Sequence, residues 1–417
     1  MVGKILMIKA FTKTNVSYYL RLIIFFLLKI LNTVKSMFII KKIREQCRII
    51  IENSKYDFVD IFCFRFGWNA GSFQRAQHIA LNLARSGVLV FYAKNSFRDK
   101  QKELFSCIEN NLYLIDIDNP ILMFILKKEL KSFNKKKVIH NCSTNLYTSY
   151  NYLMSFKKQG FTVLYEYIDE ISSEISGTKI PKSFLKMHSK LIKDTDNIIV
   201  SSAKILYDKV NKIRKSKNNS IFACNGVEYE HWQVQSDSYK QLYDIRKIVD
   251  EGKPIIGYFG ALANWFDYDL MGYLAVHRPN YNFVLIGWEY DKAFANSKIT
   301  KLKNLHFLGP KKYSELSSYI TAFDICIIPF KVNEITLSTS PVKLFEYLAA
   351  GKPSVCTAMP ECIAVEQVFI GNTYEEFIDK IDQAILLRDD VEFIKKLKNV
   401  ALENSWNNKV KSIIMNW

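Results

Sequence analysis

What this sequence lacks narrows its chemistry before any motif is read. Its eight cysteines (47, 63, 107, 142, 224, 326, 356 and 362) never form a Cys-x-x-Cys pair. That spacing points to neither a disulfide framework nor a zinc site. Most of them sit in apolar runs, such as Ile61-Phe62-Cys63-Phe64 and Ile325-Cys326-Ile327, and read as reduced core residues. No zinc-finger spacing, basic zipper or aromatic RNA-binding signature occurs, which sets nucleic acid aside as a partner. No metal site is expected. The densest apolar run, Leu20 to Leu31, is interrupted: its longest uncharged stretch, Leu22 to Leu28, is bounded by Arg21 and Lys29. A membrane-spanning helix needs about 20 apolar residues. A secretory leader would need a small-residue cleavage site, which is also missing. Acidic residues are scarce too: 41 Asp and Glu face 58 Lys and Arg, leaving a formal charge of +17.

What is present describes a globular chain. It is 49% hydrophobic and 24% charged, and its 417 residues are more than one core needs and suit two domains. The positive excess favours an anionic partner. Between Met1 and Asp60 stand eleven Lys or Arg against four Asp or Glu, interleaved with aliphatics and Phe. At 100° per residue, Arg21, Lys29, Asn32, Lys35 and Ser36 fall on one side of a helix. Ile23, Phe26, Leu27, Ile30, Val34 and Phe38 fall on the other. Such a helix suits an anionic membrane surface, with its lysines snorkelling toward headgroups; a helix packed on the protein's own surface would look the same. Residues 1–55 are therefore expected to be a basic, amphipathic helical extension, with residues 1–50 meeting the membrane.

Beyond Tyr56 short apolar strands alternate with amphipathic helices, the pattern of a parallel α/β sheet. Strands are expected at Val59–Phe64, Val88–Tyr92, Val138–His140, Thr162–Tyr165, Asn197–Val200 and Ser220–Ala223. A second series follows at Ile255–Phe259, Asn282–Ile286, Leu305–Leu308, Asp324–Ile328 and Ser354–Cys356. The polar stretch between reads as a linker. The expected organisation is an N-terminal Rossmann-like domain at 56–228, a linker at 229–254 and a C-terminal Rossmann-like domain at 255–372. Helices at 373–417 complete it, the last crossing back to the first domain. Two doubly wound domains would face a cleft at their strand C-termini, where ligands bind in such sheets.

The most informative stretch runs Ser338-Thr339-Ser340-Pro341-Val342-Lys343-Leu344-Phe345-Glu346-Tyr347-Leu348-Ala349-Ala350-Gly351-Lys352-Pro353. Ser340 suits a helix N-cap, Pro341 the first helical position, and Gly351 with Pro353 the stop. A helix N-terminus with hydroxyls and Lys343 one turn in can hold a diphosphate. Glu346, a turn further on the same face, can take two sugar hydroxyls. A plain capped amphipathic helix fits these residues equally well.

This stretch resembles the nucleotide-sugar helix of retaining GT-B glycosyltransferases of the family-4-like group. The similarity is strongest to the bacterial surface-polysaccharide (teichuronic-acid-type) subgroup. Further matching stretches are Trp68 with Gln74 to Ala80, Tyr165-Glu166-Tyr167-Ile168-Asp169-Glu170, Ile256-Gly257-Tyr258-Phe259-Gly260 with Trp265 to Asp269, and His306-Phe307-Leu308-Gly309-Pro310. The resemblance covers residues 58–417. It implies a hexosyltransferase that uses a nucleotide sugar, UDP- or GDP-linked, with no cofactor. The implied acceptor is a lipid-linked or polysaccharide chain at the cytoplasmic face of the plasma membrane. Residue by residue, it implies that Glu346 binds the ribose, that Lys343 with Thr339 and Ser340 holds the diphosphate, and that Gly260 admits the donor. It also makes Gly71 and Ser72 part of a glycine loop for the acceptor, beside Arg75 and Glu166.

Two positions depart from the larger family. Ser338 stands where that family has Glu, with Glu334 nearby but off-register, and Ala261 to Tyr268 holds no Arg or Lys. For chemistry, Lys343 is the expected leaving-group stabiliser, Asp169 the group that orients or deprotonates the acceptor hydroxyl, and His140 a strand-end candidate beside it. Two other readings stay open: a catalytically silent membrane-bound adaptor, for which Ser338 is the best argument, and a nucleotide-sugar epimerase.

Overall fold

The computed structural model describes residues 23–33, 40–52, 57–70, 73–95, 97–101, 103–146, 148–173 and 179–417. Gly71, Ser72 and most of the expected N-terminal helix lie outside these. The chain forms two compact units. One comprises residues 1–201, 207–222 and 410–417, the other residues 202–206 and 223–409.

The first unit is built on an eight-stranded sheet. Its strands are β1 (Phe58–Phe62), β2 (Val88–Ala93), β3 (Phe105–Glu109), β4 (Leu112–Ile115), β5 (Lys136–Cys142), β6 (Thr162–Tyr167), β7 (Ile198–Ser201) and β8 (Ser220–Phe222). They lie in the order β3-β4-β2-β1-β5-β6-β7-β8. All pairings are parallel except β3 with β4. Parallel strands are covered on both faces and read as unbroken apolar runs; all six residues of β2, Val-Leu-Val-Phe-Tyr-Ala, are buried. The β3–β4 hairpin was not expected. β3 is a mixed edge strand with no apolar run, and its turn is marked only by Asn111 at φ 73°. Winding outward from β1 in one direction and from β5 in the other leaves a switch point between those two strands, where loops diverge and ligands bind.

The N-terminal stretch divides. Helix Ile40–Glu52 buries Ile43, Cys47 and Ile51 against helix Pro120–Lys131, and Arg48 Nε bonds Glu129 Oε2 at 2.9 Å. This part belongs to the unit's own core. The helix at 23–33 instead leaves its apolar side chains in solvent, with Phe26 66% and Leu27 60% exposed. Its far end is tied by Asn32, whose side chain donates to Asp116 at 3.0 Å. Among the described residues, no helix is long and apolar enough to cross a membrane.

The second unit holds a six-stranded parallel sheet: β9 (Ile255–Phe259), β10 (Asn282–Ile286), β11 (Leu305–Phe307), β12 (Ile325–Ile328), β13 (Ser354–Thr357) and β14 (Phe369–Gly371). The order is β11-β10-β9-β12-β13-β14, so its switch point lies between β9 and β12. A Cβ at Gly257 would stand 2.0 Å from the Phe323 ring, which explains a glycine inside an apolar strand. The polar stretch 229–254 is packed rather than tethering: it forms short helices that bury Trp232, Ile245 and Ile248 in this unit's core. The last residues, 410–417, belong to the first unit.

Candidate active site

In the second unit the chain leaving β12 turns through helix Glu334–Leu337 into helix Val342–Ala349. Gly351, at φ +71°, closes that helix as its stop signal implied, with Lys352 N–H returning to Tyr347 O at 2.9 Å. Its start differs from expectation. Pro341 is the N-cap and Ser340 caps nothing. Instead Ser340 Oγ accepts from Asn225 N–H at 3.1 Å, and the Asn225 side chain donates to Ser340 O at 2.6 Å. Because that oxygen accepts, the hydroxyl proton of Ser340 stays available to an anion. Ser338 and Thr339 have spent theirs: both hydroxyls donate to Ile335 O, at 3.0 and 2.9 Å. Glu334 is exposed, at the start of the short helix.

Lys343 packs beneath Gly260, and Glu346 stands one turn further along the same helix. The Lys343 ammonium lies over the Phe330 ring at 4.8 Å and the Tyr258 ring at 5.6 Å. Burial lowers Lys343 to about 8, against the pull of Glu346. Burial likewise raises Glu346 to about 7, partly offset by Lys343 and the Tyr313 hydroxyl. Gly260 has φ +148°, and a Cβ there would stand 2.8 Å from Lys343 Cε. Tyr313 is held by His231, whose ring stacks on it at 4.4 Å and whose Nε2 donates to its carbonyl. The result is a cation and a carboxylate at a helix N-terminus, at the switch point of a doubly wound sheet, under a turn that only glycine fits.

In the first unit the residues at the switch point form a buried charge network. His140 Nδ1 is 3.0 Å from Asp60 Oδ2, and its Nε2 is 3.7 Å from Glu166 Oε2. Arg75 donates to Glu166 Oε1 through Nε at 3.0 Å and Nη2 at 2.9 Å. All four side chains are at least nine-tenths buried. Burial alone would lower His140, but Asp60 and Glu166 outweigh it and hold the imidazolium up to about 9. Burial would raise Glu166, but Arg75 and His140 bring it down to about 2. Asp60 is pushed up by burial, with His140 in partial opposition. Asp169 sits half-buried at the rim, raised to about 6 by burial while Arg75 draws it down. The neighbouring loop is pinned by Asp99, which accepts from the backbone of Trp68 and Asn69 at 3.0 and 2.8 Å.

Comparison with known proteins bears on this geometry. Residues 253–386 match the family described as glycosyl transferases group 1. The "Putative teichuronic acid biosynthesis glycosyltransferase TuaH" of Bacillus subtilis (strain 168) is 24% identical over 257 residues, 59% of this chain and 64% of that protein. This chain thus aligns with less than two thirds of that relative's length. Among solved structures, sucrose-phosphate synthase from Thermosynechococcus elongatus superposes with TM-score 0.64 at 13% identity, covering 86% of this chain and 98% of that one. Anabaena Alr3699/HepE in complex with UDP gives TM-score 0.62 at 14% identity, with the same coverage. The match to glycosyl transferases group 1 lies within the second unit, and the chain has the GT-B fold.

In the second unit Gly260 and Lys343 come together, with Glu346 one turn along the same helix and Ser340 in the turn that leads into it, whereas the Ser338 and Thr339 hydroxyls turn into the preceding helix. In the first unit His140, Glu166, Arg75 and Asp169 come together. Arg75, expected to meet an acceptor phosphate, has its guanidinium committed to Glu166. Glu166 is itself buried between Arg75 and His140. Sequence reading missed Asp60 and Asn225. A charged residue inside the apolar run Val59-Asp60-Ile61-Phe62 was the available signal for the first, since a buried carboxylate needs a partner. Nothing local marks Asn225, which acts on a turn 115 residues away.

Proposed function

We propose that the chain transfers a hexose-type sugar from a nucleotide-sugar donor to a lipid-linked or polysaccharide acceptor in the assembly of a bacterial surface glycan. The observation that carries this is Lys343 packed under Gly260 with Glu346 one turn further along the same helix, within the stretch that matches glycosyl transferases group 1. Lys343, the Ser340 hydroxyl and the helix terminus stabilise the diphosphate as it leaves. Glu346 takes the ribose hydroxyls. The donor is a UDP- or GDP-sugar; the UDP bound in the Anabaena protein supports the first. Transfer proceeds with retention, through an oxocarbenium-like state that depends more on leaving-group stabilisation than on a strong nucleophile. Asp169 receives the acceptor proton, a role that suits a carboxyl raised toward neutrality. The network of Asp60, His140, Glu166 and Arg75 fixes the ground around it. The surface-glycan reading draws on the name of the B. subtilis relative.

The enzyme works at the cytoplasmic face of the plasma membrane, held there by the N-terminal stretch. The exposed Ile23, Phe26, Leu27 and Ile30 support this, since solvated apolar patches mark interaction surfaces. The surrounding basic residues add attraction to anionic lipid. Donor screening by nucleoside diphosphate release, with lipid-linked extract as acceptor, tests the whole reading; no release from any donor would sink it. One observation favours the adaptor instead: Ser338 offers neither a carboxylate nor a free hydroxyl proton for a sugar. A thermal-shift titration with uridine, guanosine and cytidine diphosphates separates the two, because a ligand of the native state raises stability by mass action. No shift with any of them favours the adaptor.

A further inference from the structure

The turns that follow β9, β10 and β11 each carry a glycine of positive φ: Gly260 at +148°, Gly287 at +152° and Gly309 at +67°. They stand side by side. Gly260 N–H donates to Ile286 O at 2.8 Å, and Gly287 N–H donates to Gly309 O at 3.0 Å. A Cβ at Gly287 would fall 1.8 Å from Gly260 O. The edge of the sheet is therefore a bare backbone floor that starts at Lys343 and crosses three strands.

Trp288 rises beside this floor. Its carbonyl accepts from Leu262 N–H at 2.8 Å, which fixes its backbone to the turn after Gly260. The neighbouring side chains are engaged: Glu289 accepts from Ala295 N–H at 2.8 Å, Asp291 from Asn264 N–H at 2.9 Å, and Tyr290 packs on Trp265 at 5.4 Å. Trp288 is different. It is 44% exposed, the most exposed of the six tryptophans, and among the described residues its ring stacks on no other. A large aromatic whose backbone is fixed and whose side chain is solvent-exposed offers a stacking surface, with the backbone part of the ordering cost already met in the free protein.

We propose that Trp288 is the platform on which the nucleobase of the donor stacks. This rests on the reading of Lys343 as the diphosphate site. Gly260 and Trp288 follow adjacent strands, about 4.8 Å apart, so the Trp288 backbone lies one strand over from the turn that covers Lys343. The floor between them has no Cβ to obstruct a nucleotide lying along it. Stacking also supplies affinity where the glycine turn offers no Arg or Lys. Because every base has a π face, the platform accepts a pyrimidine or a purine.

The test is calorimetric binding of UDP, GDP and inorganic pyrophosphate to wild type, Trp288→Ala and Trp288→Phe. Trp288→Ala is expected to weaken the favoured nucleoside diphosphate about ten-fold and to leave pyrophosphate unchanged, while Trp288→Phe retains most of the affinity. Unchanged nucleotide affinity in Trp288→Ala, in a wild type that does bind nucleotide, overturns the platform alone. An equal loss for pyrophosphate also overturns it, since Trp288 would then merely brace the turn. Failure of wild type to bind either nucleotide overturns both this and the underlying reading. Should Trp288→Ala fold poorly, Trp288→Phe carries the test: quenching of tryptophan emission by nucleotide is expected in wild type and lost in the variant. Quenching that persists overturns the proposal.

Discussion

Lys343 occupies the space that a side chain at residue 260 would need: a Cβ on Gly260 would lie 2.8 Å from Lys343 Cε and equally close to the Tyr258 hydroxyl. The glycine and the lysine are 83 positions apart in sequence and form one feature. Gly260→Ala is therefore expected to act on the lysine. It should cost about 1–3 kcal/mol through its positive φ and weaken UDP or GDP binding by moving the ammonium. Isothermal titration checks the second effect, and unaltered nucleotide affinity would uncouple the pair.

Glu346→Gln should abolish transfer while leaving the fold intact. The carboxylate's bonds to two hydroxyls are worth about 1.5–3 kcal/mol each, and an amide at that position accepts only through one oxygen. Nucleoside diphosphate release measures it; wild-type turnover would remove the assignment.

Lys343 should make nucleotide binding pH-sensitive. The ammonium is present below about 8 and lost as pH rises through that value, far below the ordinary lysine range. Affinity for UDP or GDP should fall across that interval in wild type and stay level in Lys343→Arg, whose charge does not titrate there. A level wild-type profile would place the lysine's titration elsewhere.

His140 links pH to the stability of the first unit. Its folded value of about 9 lies above the ordinary 6.5. The imidazolium's contribution is thus fully present below 6.5 and lost as pH rises through 9. Denaturant midpoints should fall over that range by an amount worth on the order of 3 kcal/mol, and His140→Gln should flatten the decline. A slope that survives the substitution would assign it to another group. Asp60→Asn, which removes the partner at Nδ1, should flatten it as well.

Two truncations should behave differently. Removing residues 1–33 takes away the exposed apolar helix and should release the protein from anionic vesicles without loss of folding. Removing residues 1–52 also strips Ile43, Cys47 and Ile51 from helix Pro120–Lys131. That exposes a core face and should cost several kcal/mol, about 1.5–3 for each large apolar group. Vesicle sedimentation and thermal unfolding read the two effects; equal thermal midpoints would mean that helix Ile40–Glu52 contributes little.

The sequence by itself determined the strands that are buried on both faces. Val88–Ala93 and residues 283–286 are unbroken apolar runs and Ile255–Phe259 is interrupted only by Gly257, and burial is what such runs require. It also determined the helix stop at Gly351, because only a left-handed residue closes the turn there. It could not show β3, whose Ser106, Cys107 and Glu109 are set by edge pairing with β4 rather than by burial. It could not separate the two N-terminal helices either, since an apolar stripe is the same whether a partner helix or solvent covers it.

At the candidate site the division is similar. Lys343 and Glu346 were legible because four residues of one helix fix their relation. Asn225 on Ser340, Asp60 on His140 and Gly260 on Lys343 were decided by the tertiary structure alone. Each of these pairs joins residues more than 75 positions apart, brought together by parallel strands whose crossovers carry no local mark of what they will meet. The charge states follow the same rule: Glu346 near 7 is the work of burial against Lys343, His140 near 9 that of Asp60 and Glu166 against burial, and both exist only once the chain has folded.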